Sequence, residues 1–170
     1  MTQRLRVSWR LLLTLTSGLL AWGVLGVSVS HLGFDWIDRQ WAAWPWLGVG
    51  LAVLAVTGLP HAFNIIDGYN GLAGAVALVV CLALAHVALQ VGDRELAAVA
   101  IALAAATAGF LVWNYPRGLI FAGDAGAYLW GLLIAVISLL LVQRHPVVSP
   151  WFPLLLLIYP VWETVFSIYR

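Results

Sequence analysis

The chain has no lysine, one cysteine, one methionine and only 7 acidic residues among 170. Each shortage excludes something. Cys81 stands alone in an apolar run, so no intrachain disulfide can form and no redox compartment can be read. Without lysine there can be no P-loop lysine, and no Gly-x-Ser-x-Gly element occurs. No two of the four histidines have metal-ligand spacing, which argues against zinc. All 8 basic residues are arginine and the net charge is +1, a balance that implies no nucleic-acid partner. No low-complexity segment or clear internal repeat is present.

What the chain has in abundance is apolar surface. Hydrophobic residues make up 64% and charged residues 9%, with a mean hydropathy of +1.00. A soluble domain carries about 25% charge. There is too little polar surface here to cover a globule, so the sequence predicts an all-α, polytopic transmembrane bundle in the lipid bilayer, one domain over residues 1–170. The apolar runs divide into six spans, 11–29, 46–63, 70–91, 96–113, 127–142 and 151–168. The breaks are polar: Asp35, Asp38, Arg39 and Pro45 in 30–45, Gly-Asp-Arg-Glu at 92–95, and Gln-Arg-His-Pro-Val-Val-Ser-Pro at 143–150.

Arg4, Arg6 and Arg10 precede the first span, which places the N-terminus in the cytoplasm by the positive-inside rule. Six crossings then put the 62–69 loop, the 114–126 loop and the C-terminus on that same side. Asp35, Asp38, Asp93 and Glu95 fall outside, and Trp36, Trp41, Trp44, Trp46 and Trp151 line the outer boundary as an aromatic belt. The alternative for the first span is a secretory signal, but no clear small-residue cleavage pattern follows it.

Two polar islands therefore share one face. The first is His61-Ala62-Phe63-Asn64-Ile65-Ile66-Asp67-Gly68-Tyr69-Asn70-Gly71-Leu72-Ala73, and the second is Asn114-Tyr115-Pro116-Arg117-Gly118-Leu119-Ile120-Phe121-Ala122-Gly123-Asp124-Ala125-Gly126. Acids at the edge of a membrane segment are costly and mark sites. Asn64 and Asp67, three apart, share a helix face and suit a polar ligand or a metal-bound phosphate. The bland alternative is that Asp67 caps a helix at the water boundary. Asp124 is a hard oxygen donor of the kind Mg2+ takes together with phosphates. Its bland alternative is a helix N-cap. Arg117 either pairs with a phosphate or anchors the loop inside. His61 sits one turn before Asn64 and is expected to be solvated or hydrogen bonded, whereas His86 is expected to bond a neighbouring helix. Glu163 is expected to form a structural ion pair with Arg117 or Arg170.

At these residues the chain resembles a known family. Asn64 to Ala73 resembles the Asn-x-x-Asp-Gly-x-Asp/Asn-Gly-Leu-Ala motif of the polyprenyl-phosphate N-acetylhexosamine-1-phosphate transferases, and Phe121 to Gly126 resembles their Phe-x-Gly-Asp-x-Gly motif. Asn114-Tyr115-Pro116-Arg117 also fits. The resemblance implies transfer of a sugar-1-phosphate from a UDP-sugar to undecaprenyl phosphate, with release of UMP, at the cytoplasmic face of the bacterial inner membrane. It implies a catalytic pair, Asp67 and Asp124, with Asp124 on Mg2+, and substrate binding by Asn64, Asn70 and Arg117. Family members are longer and carry an Asp-Asp pair in an earlier cytoplasmic loop, and this chain has no adjacent acidic pair. The expectation is thus an internal or truncated segment, with a missing N-terminal half or a homodimer as its possible partner, and inactive on its own. Two other readings compete: a non-catalytic membrane scaffold or binding protein derived from the family, and a small transporter, against which the placement of the acids at span ends argues.

Overall fold

The computed structural model describes residues 7–170, and Arg4 and Arg6 lie outside them. Eight helices follow one another among the described residues, with no strand: α1 (Val7–Leu25), α2 (Asp35–Ala43), α3 (Pro45–Ile66), α4 (Leu72–Gln90), α5 (Arg94–Asn114), α6 (Gly123–Arg144), α7 (Trp151–Leu156) and α8 (Ile158–Tyr169). Five of them, α1, α3, α4, α5 and α6, are long and apolar enough to cross a membrane. The protein is a multi-pass membrane helical bundle. In bilayer-spanning helices every backbone group must be satisfied within the segment, which is why helix accounts for the apolar runs throughout.

Two stretches differ from the sequence expectation. The run 151–168 is a broken helix, not one span, interrupted at Leu157. Pro160 lacks an N–H and its ring crowds the carbonyl of Leu156, so the chain restarts as α8 with Pro160 in its first turn. The segment 30–45, expected as a loop, contains the short helix α2. Asp38 on α2 accepts the N–H groups of Leu32 (2.6 Å) and Gly33 (3.0 Å), folding the α1–α2 connection back onto the helix. The fifth crossing also starts earlier than expected, at Gly123, and runs to Arg144.

Helix α3 is the hub. It packs most extensively on α6, then α1, and also carries α8. Close approach to α6 depends on Gly131, where a Cβ would overlap the backbone of Pro60. Small residues at such crossings let van der Waals packing replace the hydrophobic drive that lipid cannot supply. Helices α4 and α5 form a tight hairpin beside α6, turned by Gly92 with φ +82° and capped by Asp93, whose Oδ1 accepts the Leu96 N–H at 3.0 Å. Phe63, Leu84, Ile134 and Leu141 fill the fully buried centre. One buried polar link crosses it: Trp130 Nε1 donates to Thr107 Oγ1 at 2.9 Å, and Thr107 donates to Leu103 O on its own helix.

The bundle has two distinct ends. At one, the C-terminus of α1 meets the C-terminus of α6: Gln143 donates to Gly26 O and accepts from Ser28 N–H. The tryptophans gather there. Trp41 Nε1 donates to Val29 O (2.7 Å) and Trp151 Nε1 to Leu32 O (2.8 Å), while Trp36, Trp44 and Trp46 are exposed. At the other end lie the starts of α1, α4 and α6 and the ends of α3 and α5.

Candidate functional site

Both polar islands come together at that second end. Asn64 lies in the last turn of α3, and Asp67 is its C-cap. Asp124 is the second residue of α6. The Asn64 side-chain amide donates to Asp124 Oδ1 at 2.9 Å, so the islands meet side chain to side chain.

Asp67 is the C-cap of α3, as the bland alternative held, with its backbone N–H on Phe63 O. The α3 C-terminus carries the negative end of the helix dipole, which opposes its carboxylate. Asp124 lies where the α6 dipole favours an acid, yet it is not the N-cap: Ala122 is, and no side chain caps the helix. Its oxygens are directed across the bundle, Oδ1 to Asn64 and Oδ2 to the Arg10 guanidinium at 2.7 Å. Partial burial, and then the negative charge of Asp124, hold the Asp67 carboxyl above its usual range. The two acids are therefore within electrostatic reach of each other.

The loops behind them are stitched by Asn114, a buried residue at the end of α5. Its Oδ1 accepts the Gly71 N–H (2.5 Å) and its Nδ2 donates to Ile120 O (2.8 Å). Gly71 sits at φ +82° directly against Tyr115, where a Cβ would lie 2.9 Å from the ring. Asn70 is exposed and donates to Pro116 O at 3.3 Å. It rests against Gly118, itself at φ +62°. Both glycines combine a left-handed backbone with a close neighbour, which no L side chain accommodates easily.

Arg117 is not drawn into this cluster. It is exposed and forms no ion pair among the described residues. With Trp113, Tyr115 and Leu119 it lines an open groove of about 300 Å³. Glu163 forms no ion pair with Arg117 or Arg170, contrary to expectation: α8 packs mainly against α3, whereas Arg117 lies in the loop after α5. His86 also departs from expectation, pairing at 3.0 Å with Gln90 one turn along its own helix instead of with a neighbouring one.

A second layer lies one helical turn deeper. His61 Nε2 is 3.0 Å from Thr14 Oγ1, and its Nδ1 is 3.5 Å from the Tyr128 hydroxyl. Thr14 follows Arg10 by four residues on α1, Tyr128 follows Asp124 by four on α6, and His61 precedes Asn64 by three on α3. Such spacings keep residues on one helix face. The same three helices thus supply two stacked polar triads: Arg10, Asp124 and Asn64 at the surface, then Thr14, Tyr128 and His61 beneath. Reading the sequence for topology missed Arg10, whose charge counted only as an anchor, and missed Thr14 and Tyr128. The available signal was a polar residue one turn inside each apolar run.

Among the described residues no three His, Cys, Asp or Glu side chains group as metal ligands. The acids at this end, Asp124 and Asp67, are hard oxygen groups that influence each other electrostatically. That set suits Mg2+, which takes one or two carboxylates and completes its shell with water and phosphate oxygens.

Comparison with known proteins agrees with this layout. Residues 2–142 match the family model described as glycosyl transferase family 4. The chain is 33% identical over 126 residues to the "Probable undecaprenyl-phosphate N-acetylglucosaminyl 1-phosphate transferase" of Bacillus subtilis (strain 168), covering 74% of this chain and 35% of that protein. It is 34% identical over 141 residues to the phospho-N-acetylmuramoyl-pentapeptide-transferase of Moorella thermoacetica, covering 81% and 42%. It is 33% identical over 127 residues to the decaprenyl-phosphate N-acetylglucosaminephosphotransferase of Mycobacterium tuberculosis, covering 69% and 30%. The chain covers between 30% and 42% of the length of these relatives. With both motif loops joined at one end of the bundle and the match running through α6, the chain belongs to glycosyl transferase family 4.

Proposed function

We propose that this chain is one part of an enzyme that transfers a sugar-1-phosphate from a UDP-N-acetylhexosamine to undecaprenyl phosphate, for cell-envelope polysaccharide synthesis. The observation that carries the reading is the 2.9 Å contact between Asn64 and Asp124, which unites the two motifs in one site. One substrate is a membrane lipid and the other a water-soluble nucleotide. A site at the end of a helical bundle, open to solvent and flanked by lipid-facing helices, gives access to both. We place this end at the cytoplasmic face of the bacterial plasma membrane, on the arginine asymmetry of the sequence, and treat residues 1–170 as a single transmembrane domain.

Phosphoryl transfer asks little covalent chemistry of the protein and much positioning and charge neutralisation. Asp124, with Asp67 beside it, would hold Mg2+ in this reading, and the ion would supply neutralisation of charge on the transferring phosphate. Asn64 orients the Asp124 carboxylate through its amide. Asn70 and the exposed backbone at Gly68 face the nucleotide, with Asn114 fixing the loop that carries them. Arg117, on its exposed groove, pairs with a phosphate.

The chain carries no adjacent acidic pair, the element the resemblance associates with completing the site. Residues 1–170 alone are therefore inactive in this proposal while still binding nucleotide through metal. The purified chain in detergent should bind UDP only when Mg2+ is present and should turn over no UDP-sugar. Sugar-phosphate transfer by the chain alone overturns the inactivity, and UDP binding that ignores Mg2+ overturns the site.

A further inference from the structure

Each oxygen of the Asp124 carboxylate has a protein partner without any metal. Oδ1 accepts from Asn64 at 2.9 Å and Oδ2 pairs with Arg10 at 2.7 Å. Yet the carboxylate side chain remains 52% exposed, so a third group can reach it from solvent. Arg10 reaches it from the first turns of α1, on a long side chain whose charge sits well away from its backbone.

We propose that Arg10 is an exchangeable counterion: it occupies the cation's place on Asp124 in the metal-free protein, and yields that carboxylate to a divalent cation and turns to the phosphates of the incoming nucleotide. This rests on the reading of Asp124 as the metal ligand. The layer beneath fixes the backbone that bears Arg10. One turn below, Thr14 Oγ1 bonds the Arg10 carbonyl (3.1 Å) and meets His61 Nε2 (3.0 Å), and Tyr128 closes the layer from α6. The backbone bearing Arg10 is thereby pinned to α3, so only the guanidinium needs to swing. Arg10 meets Asp124 through one guanidinium nitrogen on one carboxylate oxygen, and phosphate oxygens can take that oxygen's place, since Arg binds carboxylate and phosphate alike. The exchange also keeps charge matched throughout, because Asp124 has a cation beside it before and after binding.

The consequence is opposite effects on two ligands. An Arg that only stabilises the fold would weaken both or neither. The test uses the purified 170-residue chain in detergent, with Mn2+ alone as the first probe, followed by electron paramagnetic resonance, and UDP in saturating Mn2+ as the second. Arg10→Gln should bind Mn2+ more tightly than wild type, by about threefold to fivefold, as expected on removing a partly exposed competing charge. The same variant should bind UDP about tenfold more weakly, the loss of one charge-assisted contact. Arg10→Lys, which keeps the charge, should return both affinities toward wild type. If Arg10→Gln binds Mn2+ no better than wild type, the exchange is wrong. Failure of the exchange is separable from failure of the metal site. Mn2+ binding that disappears in Asp124→Asn but is unchanged in Arg10→Gln sinks the exchange alone, and a wild-type chain that binds no Mn2+ sinks both. Should Arg10→Gln fail to fold, the wild-type protein still answers: the Arg10 side-chain N–H resonance, identified by its loss in Arg10→Lys, should shift when Mg2+ is added, and a resonance that stays in place overturns the proposal.

Discussion

The two ends of this bundle each hold an aspartate met by an arginine and a second side chain, and they use that pairing in opposite ways. At the tryptophan-rich end, Asp93 is 8% exposed and receives the Leu96 N–H, Arg144 at 3.3 Å and His145 at 3.1 Å. At the motif end, Asp124 is 52% exposed and receives Asn64 and Arg10. The first carboxylate is nearly closed: it caps α5 and staples the α4–α5 turn to the end of α6. The second is open, and its partners come from α1 and α3, outside its own helix. Burial, more than the list of partners, separates the two carboxylates.

The sharpest way to break that comparison is to neutralise each acid in turn. Asp124→Asn keeps the shape and removes the charge. It should abolish Mg2+-dependent UDP binding, measured by calorimetry, while leaving the thermal melting followed by circular dichroism close to wild type. Asp93→Asn should do the reverse, retaining UDP binding and lowering the melting temperature. Asn can still accept the Leu96 N–H and caps as well as Asp, so the loss is that of the charge facing Arg144 and His145, about 1 kcal/mol. If either substitution moves both readouts equally, the division between the ends does not hold.

Acid titration should order the ends as well. Burial pushes the Asp93 carboxyl up, but the Leu96 N–H, His145 and Arg144 outweigh it and leave the group below its ordinary value of 3.8. Its ionised form is bound more strongly in the fold than in the unfolded chain, so this stability is fully present above about pH 4 and is lost as pH falls through the depressed folded value. Asp67 has the opposite sign. Its folded value is raised by burial and by Asp124, so its charge strains the fold above its unfolded value, and protonation relieves that strain as pH falls. In the metal-free chain, carboxyl carbon shifts should show Asp67 titrating at higher pH than Asp93. A reversed order would mean that the motif end is the better-satisfied one.

The sequence made the two ends visible in unequal measure. The apolar runs and their polar breaks located the five long crossings, because length and composition alone determine what spans a bilayer. The parity of the crossings put both motif loops at one end. The break in the last run was harder to read: prolines near the start of a helix are tolerated, and only tertiary packing decides whether Pro160 begins a helix or bends one. Asn64, Asp67 and Asp124 were legible as unusual acids and amides beside glycine. Their partners were not, since Arg10 lies more than a hundred residues from Asp124 in sequence and looks like any arginine flanking a span. Asn114 was visible as part of a motif, but its work in tying Gly71 to Ile120 depends on a turn geometry that residue spacing does not encode.

The smallest predicted effect sharpens the same contrast. Arg144 contacts Asp93 at 3.3 Å and Glu95 at 3.7 Å, with its own side chain 43% exposed. Exposed pairs contribute about 0.2–1 kcal/mol and weaken with salt. Arg144→Gln should therefore lower stability by no more than that, and raising the ionic strength should narrow the gap to wild type. Asp93 keeps its Leu96 N–H and His145 in this variant, so the staple survives the loss of one donor. A much larger loss would show that Arg144 holds the α6 end through Asp93 in a strongly coupled network. In that case the closed end would resemble the open one, with an arginine whose removal reorganises the carboxylate it serves.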